Sequence, residues 1–257
     1  MRGSPALFST ACSRAALDGS LIGMTTMLMV VLVVSGALLV GAVWGLFGKL
    51  GEQTEGFLVA VAGGALLMSL VSELIEPSIE RRGMWTAVGG LAAGAVVFAV
   101  VDYLIDEKWG ANNGGGLLAA ITLDGIPENL ALGVALIGAG AGEVAALAGS
   151  ILLSNLPEAA GGARQMRKSG LERWRIMVLW GAAAALLSAS AIVGNILLEG
   201  ASEHLLALIR CFAAGAVVAS LATEVFPRAF KEDHHWAGVA TALGVILALG
   251  LGELGQA

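Results

Sequence analysis

Two short polar clusters, each built around a Pro-Glu pair, interrupt apolar stretches of this chain. The clusters superimpose at an offset of 30 residues, which aligns Glu128 with Glu158 and places a proline, Pro127 or Pro157, directly before each glutamate. An ionisable side chain in the middle of a membrane helix costs roughly 2.5–3.5 kcal/mol on insertion, so such groups usually line a pathway. The repeated cluster therefore predicts a polar site between two neighbouring membrane helices.

The spacing within each cluster puts its polar side chains on one helix face. Asp124 lies four residues before Glu128, and Ser154 lies four residues before Glu158, so each pair is separated by about one helical turn. If the two faces meet, they bring together three carboxylates and a hydroxyl group. Such oxygen donors suit a divalent cation, and without one the carboxylates would repel one another or take up protons.

Amide and carbonyl oxygens extend this predicted site. Each proline removes a backbone N–H and leaves the carbonyl four residues earlier without its helical partner. Two asparagines add side-chain oxygens, and the predicted metal ligands are therefore Asp124, Glu128, Asn129, Ser154, Asn155 and Glu158. For Asn129 and Ser154 taken singly, the alternative stays open that they only hold neighbouring helices together.

The composition of the chain is that of an integral membrane protein. Of its 257 residues, 57% are hydrophobic and only 13% are charged, and the mean hydropathy is +0.85. A soluble domain of this size cannot bury so much apolar surface. The sequence has no basic stripe interleaved with aromatic residues, so we expect the lipid bilayer and no nucleic acid as a partner. Two cysteines are too few for a disulfide framework or a thiolate metal site.

Apolar runs of about 20 residues, separated by short charged or Gly/Asn-rich breaks, predict an all-α protein with eight membrane-spanning helices. The spans lie near residues 24–48, 56–76, 84–105, 116–139, 144–166, 172–198, 204–228 and 235–255. The break at 140–143 is the least marked, but the roughly 50 residues around it are too many for one span. Residues 1–20 are predicted to form an N-terminal tail, and residues 21–257 the transmembrane domain.

A second internal repeat predicts how these helices are arranged. The segment 62–73 in the second span matches 213–224 in the seventh, with six of twelve positions identical. By the span count, the two copies run in opposite directions, which is typical of inverted-topology repeats in secondary transporters. The sequence therefore predicts a 3+2+3 arrangement, in which helices 1–3 and 6–8 are related and the two-helix insert carries the Pro-Glu clusters.

Positively charged residues predict the orientation. With eight spans, the odd-numbered connections carry nine Lys and Arg residues, whereas the even-numbered connections and the tails carry four. Because cytoplasmic loops hold the excess of positive charge, we expect both termini on the outer side of the plasma (inner) membrane. The cations from Arg164 to Arg175 are predicted to set this topology and to contact lipid headgroups.

Four further residues are candidates for the pathway to and from the site. Glu73 and Glu224 occupy equivalent positions in the repeat, toward the ends of the second and seventh spans, where a carboxylate can reach interfacial water. His234 and His235 lie at a helix end. One interpretation is that this pair lies in a solvated loop. The other is that the two imidazoles receive a released metal ion, since neutral imidazole is a good metal ligand.

These features together resemble the ZIP family of divalent-metal transporters. In that family the fourth helix carries a His-Asn-x-Pro-Glu-Gly type motif and the fifth a His-x-x-Pro-Glu-Gly type motif, within a three-plus-two-plus-three arrangement. Here Glu128 and Glu158 match the family's metal-binding glutamates, and Asn155 matches a further ligand position. The resemblance implies a metal site between the fourth and fifth helices and both termini outside.

The chain also departs from the family pattern. Asp124 and Ser154 stand where the family has His. Gly125 replaces a ligating Asn, and Asn129 and Ala159 replace the Gly that follows each Glu. Without imidazole the predicted site is all oxygen, which favours manganese or ferrous iron relative to zinc, the ion that the resemblance implies. The sixth span lacks the extra Glu of some members, so we expect one metal site rather than two.

The sequence therefore predicts a transporter that moves divalent cations toward the cytoplasm, with the ion as substrate and no resident cofactor. No Gly-x-x-x-x-Gly-Lys-Ser/Thr motif for ATP occurs, so transport is expected to be driven by gradients. The first alternative is a relative that binds metal or a partner without transport, as a sensor or subunit. An enzyme ranks last, since no His-Glu-x-x-His helix occurs. Whether the chain acts as a monomer or as a homodimer stays open.

Overall fold

The structure, a computed structural model, describes the backbone of residues 5–49, 51–109, 114–137, 139, 142 and 144–256. Side chains are described within these ranges except at 5–22, 106, 108, 109, 114–121, 255 and 256. Of the predicted break at 140–143, residues Gly140, Ala141 and Glu143 lie outside the described ranges. All regular structure in the described chain is helical, and it contains no strand.

Ten α-helices and two π-helical turns follow one another along the described chain. They are α1 (Pro5–Phe47), α2 (Glu52–Leu70), the first π turn (Val71–Ile75), α3 (Glu76–Arg82), α4 (Met84–Trp109), α5 (Gly114–Ala135), α6 (Ala145–Lys168), α7 (Arg173–Leu198), α8 (Glu203–Ser220), the second π turn (Leu221–Val225), α9 (Phe226–Glu232) and α10 (Ala237–Gln256). Each π turn joins two helices into one continuous segment. We call Glu52–Arg82 the second span and Glu203–Glu232 the seventh span.

Six segments of the described chain are long and apolar enough to cross a membrane. They are Gly23–Phe47, Glu52–Arg82, Met84–Ile105, Arg173–Leu198, Glu203–Glu232 and Ala237–Leu254. The protein is thus an all-helical integral membrane protein, as the composition predicts. The six segments coincide with the predicted first to third and sixth to eighth spans, although the helical backbone of α1 already begins at Pro5.

The other two predicted spans correspond to α5 and α6, which are not among these six segments. The Ser, Asn and Glu of its Pro-Glu cluster lower the hydropathy of α6, and its last turn carries Arg167 and Lys168. In α5 the described side chains begin only at Thr122. The polar cluster is therefore visible in the lower hydropathy of α6, and the count of eight spans remains a prediction.

A proline explains each π-helical turn. Pro77 lies two residues after the first turn, and Pro227 lies two residues after the second. Proline has no N–H, and its ring clashes with the carbonyl four residues earlier, so the preceding turn widens instead of keeping its regular hydrogen bonds. The widened turns contain the two candidate pathway glutamates, Glu73 in one and Glu224 in the other.

Ion pairs at opposite ends of the bundle show that the second and seventh spans run antiparallel. Glu55, near the start of α2, pairs with Arg228 in α9. Arg81, at the end of α3, pairs with Glu203 at the start of α8, with 3.4 Å between nitrogen and oxygen. The start of each span therefore lies beside the end of the other. We call the two ends of the bundle the Glu55 end and the Arg81 end.

Four helix pairs make the most extensive contacts, namely α1 with α6, α5 with α7, α2 with α10, and α4 with α8. Glycines allow backbones to touch in all four pairs, and the last two pairs serve as examples. A Cβ at Gly64 would overlap the Thr241 carbonyl in α10, and a Cβ at Gly215 would overlap the Leu91 carbonyl in α4. Small residues at helix contacts are the usual means of close packing in lipid. In these two pairs the helices therefore meet without a side chain between them.

The largest buried apolar cluster lies where α2, α5, α6 and α8 meet. It includes Leu70, Leu132, Leu147 and Val217, all of which are almost fully buried. This core packs α5 and α6 against the second and seventh spans. It thereby brings the Pro-Glu clusters next to the two π turns.

We expect Gly94→Ala to destabilise the protein by about 1–3 kcal/mol, because the added Cβ would overlap the Phe212 carbonyl in α8. Gly89→Ala is the matched control on the same helix, since nothing lies within 4 Å of a Cβ there. That change should be neutral or stabilising by up to about 1 kcal/mol, the difference in helix propensity. Thermal unfolding of both purified variants in one detergent measures the difference, and equal midpoints would contradict the close contact.

Candidate functional site

The polar clusters of α5 and α6 face each other and also the seventh span. Glu128 lies close to Glu158 across the interface of α5 and α6. Asp124 lies close to Glu158 and within hydrogen-bonding reach of Glu224 in the second π turn. We call Asp124, Glu128, Glu158 and Glu224 the carboxylate cluster. Three segments contribute to it, and Glu224 joins the carboxylates of the two Pro-Glu clusters.

Three buried oxygens on α5 lack a hydrogen-bond partner within the described chain. They are Asp124 Oδ1, Glu128 Oε1 and Asn129 Oδ1. Glu128 is 5% exposed and Asn129 is fully buried. A buried acceptor without a partner costs roughly 1–3 kcal/mol, and such groups are rare in folded proteins. These oxygens are therefore available to a proton, a water molecule or a cation.

The carboxylate cluster is a row and not a closed metal cage. Across the described residues, no three His, Cys, Asp or Glu side chains converge closely enough to hold one ion. The helical rise separates Asp124 from Glu128 by about 6 Å along α5, so Asp124 reaches Glu224 as well as Glu158, whereas Glu128 lies beside Glu158 alone among the other three. Two carboxyl groups as close as Asp124 and Glu224 need a shared proton or a cation between them, since two negative charges at that distance repel strongly.

The amide nitrogens of the two asparagines bind backbone carbonyls. Asn155 Nδ2 donates to the Val34 carbonyl in α1 at 3.0 Å, and Asn129 Nδ2 donates to the Gly125 carbonyl one turn earlier in α5 at 2.9 Å. Asn155 thus ties α6 to α1, while the oxygen of Asn129 stays available. Ser154 is partly exposed on α6.

Leu187 of α7 occupies the space beside Gly125. A Cβ at Gly125 would lie 2.6 Å from a methyl carbon of this buried leucine. A larger residue at position 125 would therefore require the Leu187 side chain to move. On α7 itself, Asn195 Nδ2 donates to the Gly133 carbonyl of α5 at 2.9 Å, so this amide holds the two helices together.

Glu73 and Glu224, which are equivalent in the sequence repeat, have different partners. Glu73 Oε1 accepts a hydrogen bond of 2.9 Å from the Leu147 N–H in the first turn of α6, and its Oε2 is buried without a partner in the described protein. A carboxylate at a helix N-terminus satisfies an otherwise unpaired N–H and complements the helix dipole. Glu73 therefore anchors α6, whereas Glu224 reaches Asp124.

His234 and His235 are exposed in the turn between α9 and α10. Their ring centroids lie 4.3 Å apart, and the ring of His234 lies 6.2 Å from that of Phe230. The structure thus brings the two imidazoles together at the Glu55 end, where they face solvent, and not to the buried carboxylate cluster.

An ion-pair network that the sequence did not predict lies at the Glu55 end. Glu55 is 1% exposed and pairs with both Arg164, at 2.5 Å, and Arg228. Arg228 also pairs with Glu232 at 3.4 Å and lies close to Glu158. The Arg228 guanidinium therefore connects the carboxylate cluster to the buried Glu55. We call Glu55, Arg164, Arg228 and Glu232 the Glu55 network.

A glycine of α6 makes room for this network. A Cβ at Gly161 would overlap the Glu55 carboxylate and the Arg228 guanidinium. The sequence predicts lipid-headgroup contact for Arg164, and the structure adds a partner inside the bundle. In the sequence, Gly161, three residues after Glu158, is the feature that could indicate a close approach at this point. A glycine alone does not identify the side chains that occupy the space beside it.

Comparison of the chain with protein-family models and with curated proteins gives no match. The structural features that bear on function are therefore the carboxylate cluster, the Glu55 network and the helices that hold them.

We expect Glu55→Gln to lower the free energy of unfolding by on the order of 3 kcal/mol, because it removes the buried counter-charge of two arginines. Glu52→Gln is the matched control. Glu52 pairs with Lys168 at 3.5 Å, and both side chains are 67% exposed, so this change should cost less than about 1 kcal/mol. Unfolding of both variants in the same detergent gives the comparison. Equal stability of the two would contradict a structural role of the Glu55 network.

Proposed function

We propose that this protein is a divalent-metal transporter that resembles the ZIP family and binds its ion at the carboxylate cluster. The observation that carries the proposal is the row of four carboxyl groups that α5, α6 and the seventh span place next to one another inside a membrane protein. Ionisable groups at such depth usually mark an ion pathway. The carboxylate cluster contains four acidic side chains and has one positive charge, that of Arg228, close to it. The excess of acidic groups attracts cations.

The proposed ion is a hard or borderline divalent cation. Every donor at the carboxylate cluster is an oxygen, and the Ser220 hydroxyl also lies within reach of Asp124. Oxygen donors favour manganese or ferrous iron, whereas zinc is the ion that the family resemblance implies. The ion is the substrate of a transporter and not the cofactor of an enzyme. Its partners are the lipid bilayer and the metal, and no role with nucleic acid is proposed.

We also propose eight spans in a 3+2+3 arrangement with an inverted repeat. The antiparallel course of the second and seventh spans supports it, and so does the π turn with a glutamate in each. The extensive contacts fall into corresponding pairs: α2 with α10 corresponds to α8 with α4, and α1 with α6 corresponds to α7 with α5. Repeats related by an axis in the membrane plane are typical of transporters with a site near the midplane.

The proposed orientation puts both termini outside the plasma (inner) membrane, the Arg81 end outside and the Glu55 end in the cytoplasm. A cavity of about 510 Å³ lies at the Arg81 end beside Glu73, while the ion pairs of the Glu55 network join α2, α6 and α9 at the opposite end. In alternating access, a single state exposes the site to one side of the membrane, and a cavity at one end with ion pairs across the other agrees with such a state. Ions would enter from the Arg81 end, and separation of Arg228 from Glu55 would let them leave toward the cytoplasm.

A relative that binds metal without transport is the second candidate, and one observation favours it. No three His, Cys, Asp or Glu side chains meet at one point in the part of the chain that the structure describes. A sensor or subunit can function with a site that closes only on binding. Binding in detergent without uptake into vesicles would identify this class.

We expect Glu128→Gln and Glu158→Gln each to reduce saturable Mn²⁺ uptake into proteoliposomes by at least about tenfold, because each removes a charge from the ion's ligands. Glu80→Gln, at an exposed position of α3, is the control and should leave uptake unchanged. A fluorescent indicator inside the vesicles reports the ion, and Zn²⁺ and Fe²⁺ are run in parallel. Normal uptake in both cluster variants would refute the site.

The orientation predicts which loops a membrane-impermeant thiol reagent can reach. Cysteine is placed at Ser169, which is exposed after α6, or added after the C-terminus, in a background without Cys12 and Cys211. In intact cells the Ser169→Cys variant should stay at least about tenfold less labelled than the C-terminal one, and permeabilisation should remove the difference. Labelling of both from the same side would contradict eight spans.

A further inference from the structure

The cavity at the Arg81 end contains a buried cation whose charge no carboxylate of the described chain pairs with directly. The cavity measures about 510 Å³, and the charged side chains that line it are Glu73, Arg81, Glu203 and Arg210. A volume of this size is within the range of small-molecule sites, which is roughly 300–1,000 Å³. What such a cavity can bind depends on which of these charges are already compensated.

Arg210 is the least exposed of the four, with 7% of its surface accessible. Its Nη2 donates to the Val134 carbonyl at 3.2 Å, and its Nε is buried without a hydrogen-bond partner. No carboxylate of the described chain lies within 4.0 Å of its guanidinium. Leaving a buried charge unpaired is strongly unfavourable, so this guanidinium requires an anionic or neutral acceptor from elsewhere.

Each of the two acids of the cavity has a contact of its own. Glu203 pairs with Arg81 at 3.4 Å and also lies near enough to Arg210 to attract it, although not within ion-pair distance. Glu73 uses one oxygen to accept the Leu147 N–H at 2.9 Å, so its carboxylate is held at the first turn of α6. Arg210 is therefore the one cation of the described cavity lining that makes no ion pair, and its planar fork of N–H donors is the group best suited to bind two oxygens of one anion.

We infer that this cavity binds a small oxyanion, a carboxylate or a phosphate, on the Arg210 guanidinium. The inference goes beyond metal transport and does not need the carboxylate cluster to hold an ion, because Arg210 and the cluster are separate groups. The same chemistry is offered by a soluble ion and by the headgroup of an anionic lipid at the mouth of the cavity. The experiment below distinguishes these two sources.

The test measures thermal unfolding of the purified full-length protein in a neutral detergent, in metal-free buffer at constant ionic strength set with chloride. Sodium acetate and inorganic phosphate are titrated separately, and phosphatidylglycerol is added to a third series of micelles with phosphatidylcholine as its control. At saturation we expect a rise in the unfolding midpoint of about 2–4 °C for at least one oxyanion. A rise with phosphatidylglycerol alone assigns the site to a lipid headgroup and supports the inference.

Three variants connect the rise to Arg210. Arg210→Gln should abolish it, and Arg82→Gln, an exposed cation beside Arg81 that does not line the cavity, should retain it. Should Arg210→Gln fail to fold, Arg210→Lys keeps the charge but loses the planar fork, and its apparent dissociation constant should rise about tenfold. No saturable rise in the native protein, an equal rise in Arg210→Gln, or unchanged affinity in Arg210→Lys would each overturn the inference.

Discussion

Carboxylates inside a membrane bundle must be neutralised, and this constraint governs the arrangement of its interior. At the Glu55 end, arginines from α6 and α9 neutralise a glutamate of α2, so charges of alternating sign connect three helices. Deeper in the bundle, Asp124 and Glu128 face other carboxyl groups instead. The two regions are joined by Arg228, which lies close to Glu158 as well as to Glu55. In the first region, arginines of the protein neutralise the carboxylate. In the second region, neutralisation needs a proton or a cation from outside the chain.

The two π turns show how one local sequence pattern can supply different chemistry. In both spans a proline distorts the backbone. The glutamate of each widened turn contacts one of the two helices that carry the Pro-Glu clusters, α5 or α6. Glu73 meets the first turn of α6 and binds a backbone N–H there, whereas Glu224 meets the polar cluster of α5. The repeat therefore explains where the carboxylates are placed, and the neighbouring helix decides what each one does.

Much of this organisation could be predicted from the sequence, because it depends on local spacing. Apolar runs predict the long helices, and the four-residue spacing of Asp124 and Glu128 predicts one polar face. The burial of Glu55 could not be predicted, because a glutamate in a charged break between spans is expected to be solvated. Its burial depends on Arg164 and Arg228, which are far away in the sequence. The partner of Glu224 and the environment of Arg210 likewise depend on how helices pack, and the sequence gives no distances between helices.

The backbone contacts at Gly64 and Gly215 also determine how the bundle can move. Where a carbonyl rests against a glycine, sliding one helix along the other drives the next Cβ into that carbonyl, and a close-packed contact cannot absorb the strain. We therefore expect the helix pairs α2 with α10 and α4 with α8 each to behave as a rigid body. The seventh span extends from α8 into α9, so the Glu55–Arg228 pair bridges one body to the other. If the proposed transport opens that end, we expect a rotation of one body against the other, a hinge-type motion that leaves both interiors unchanged.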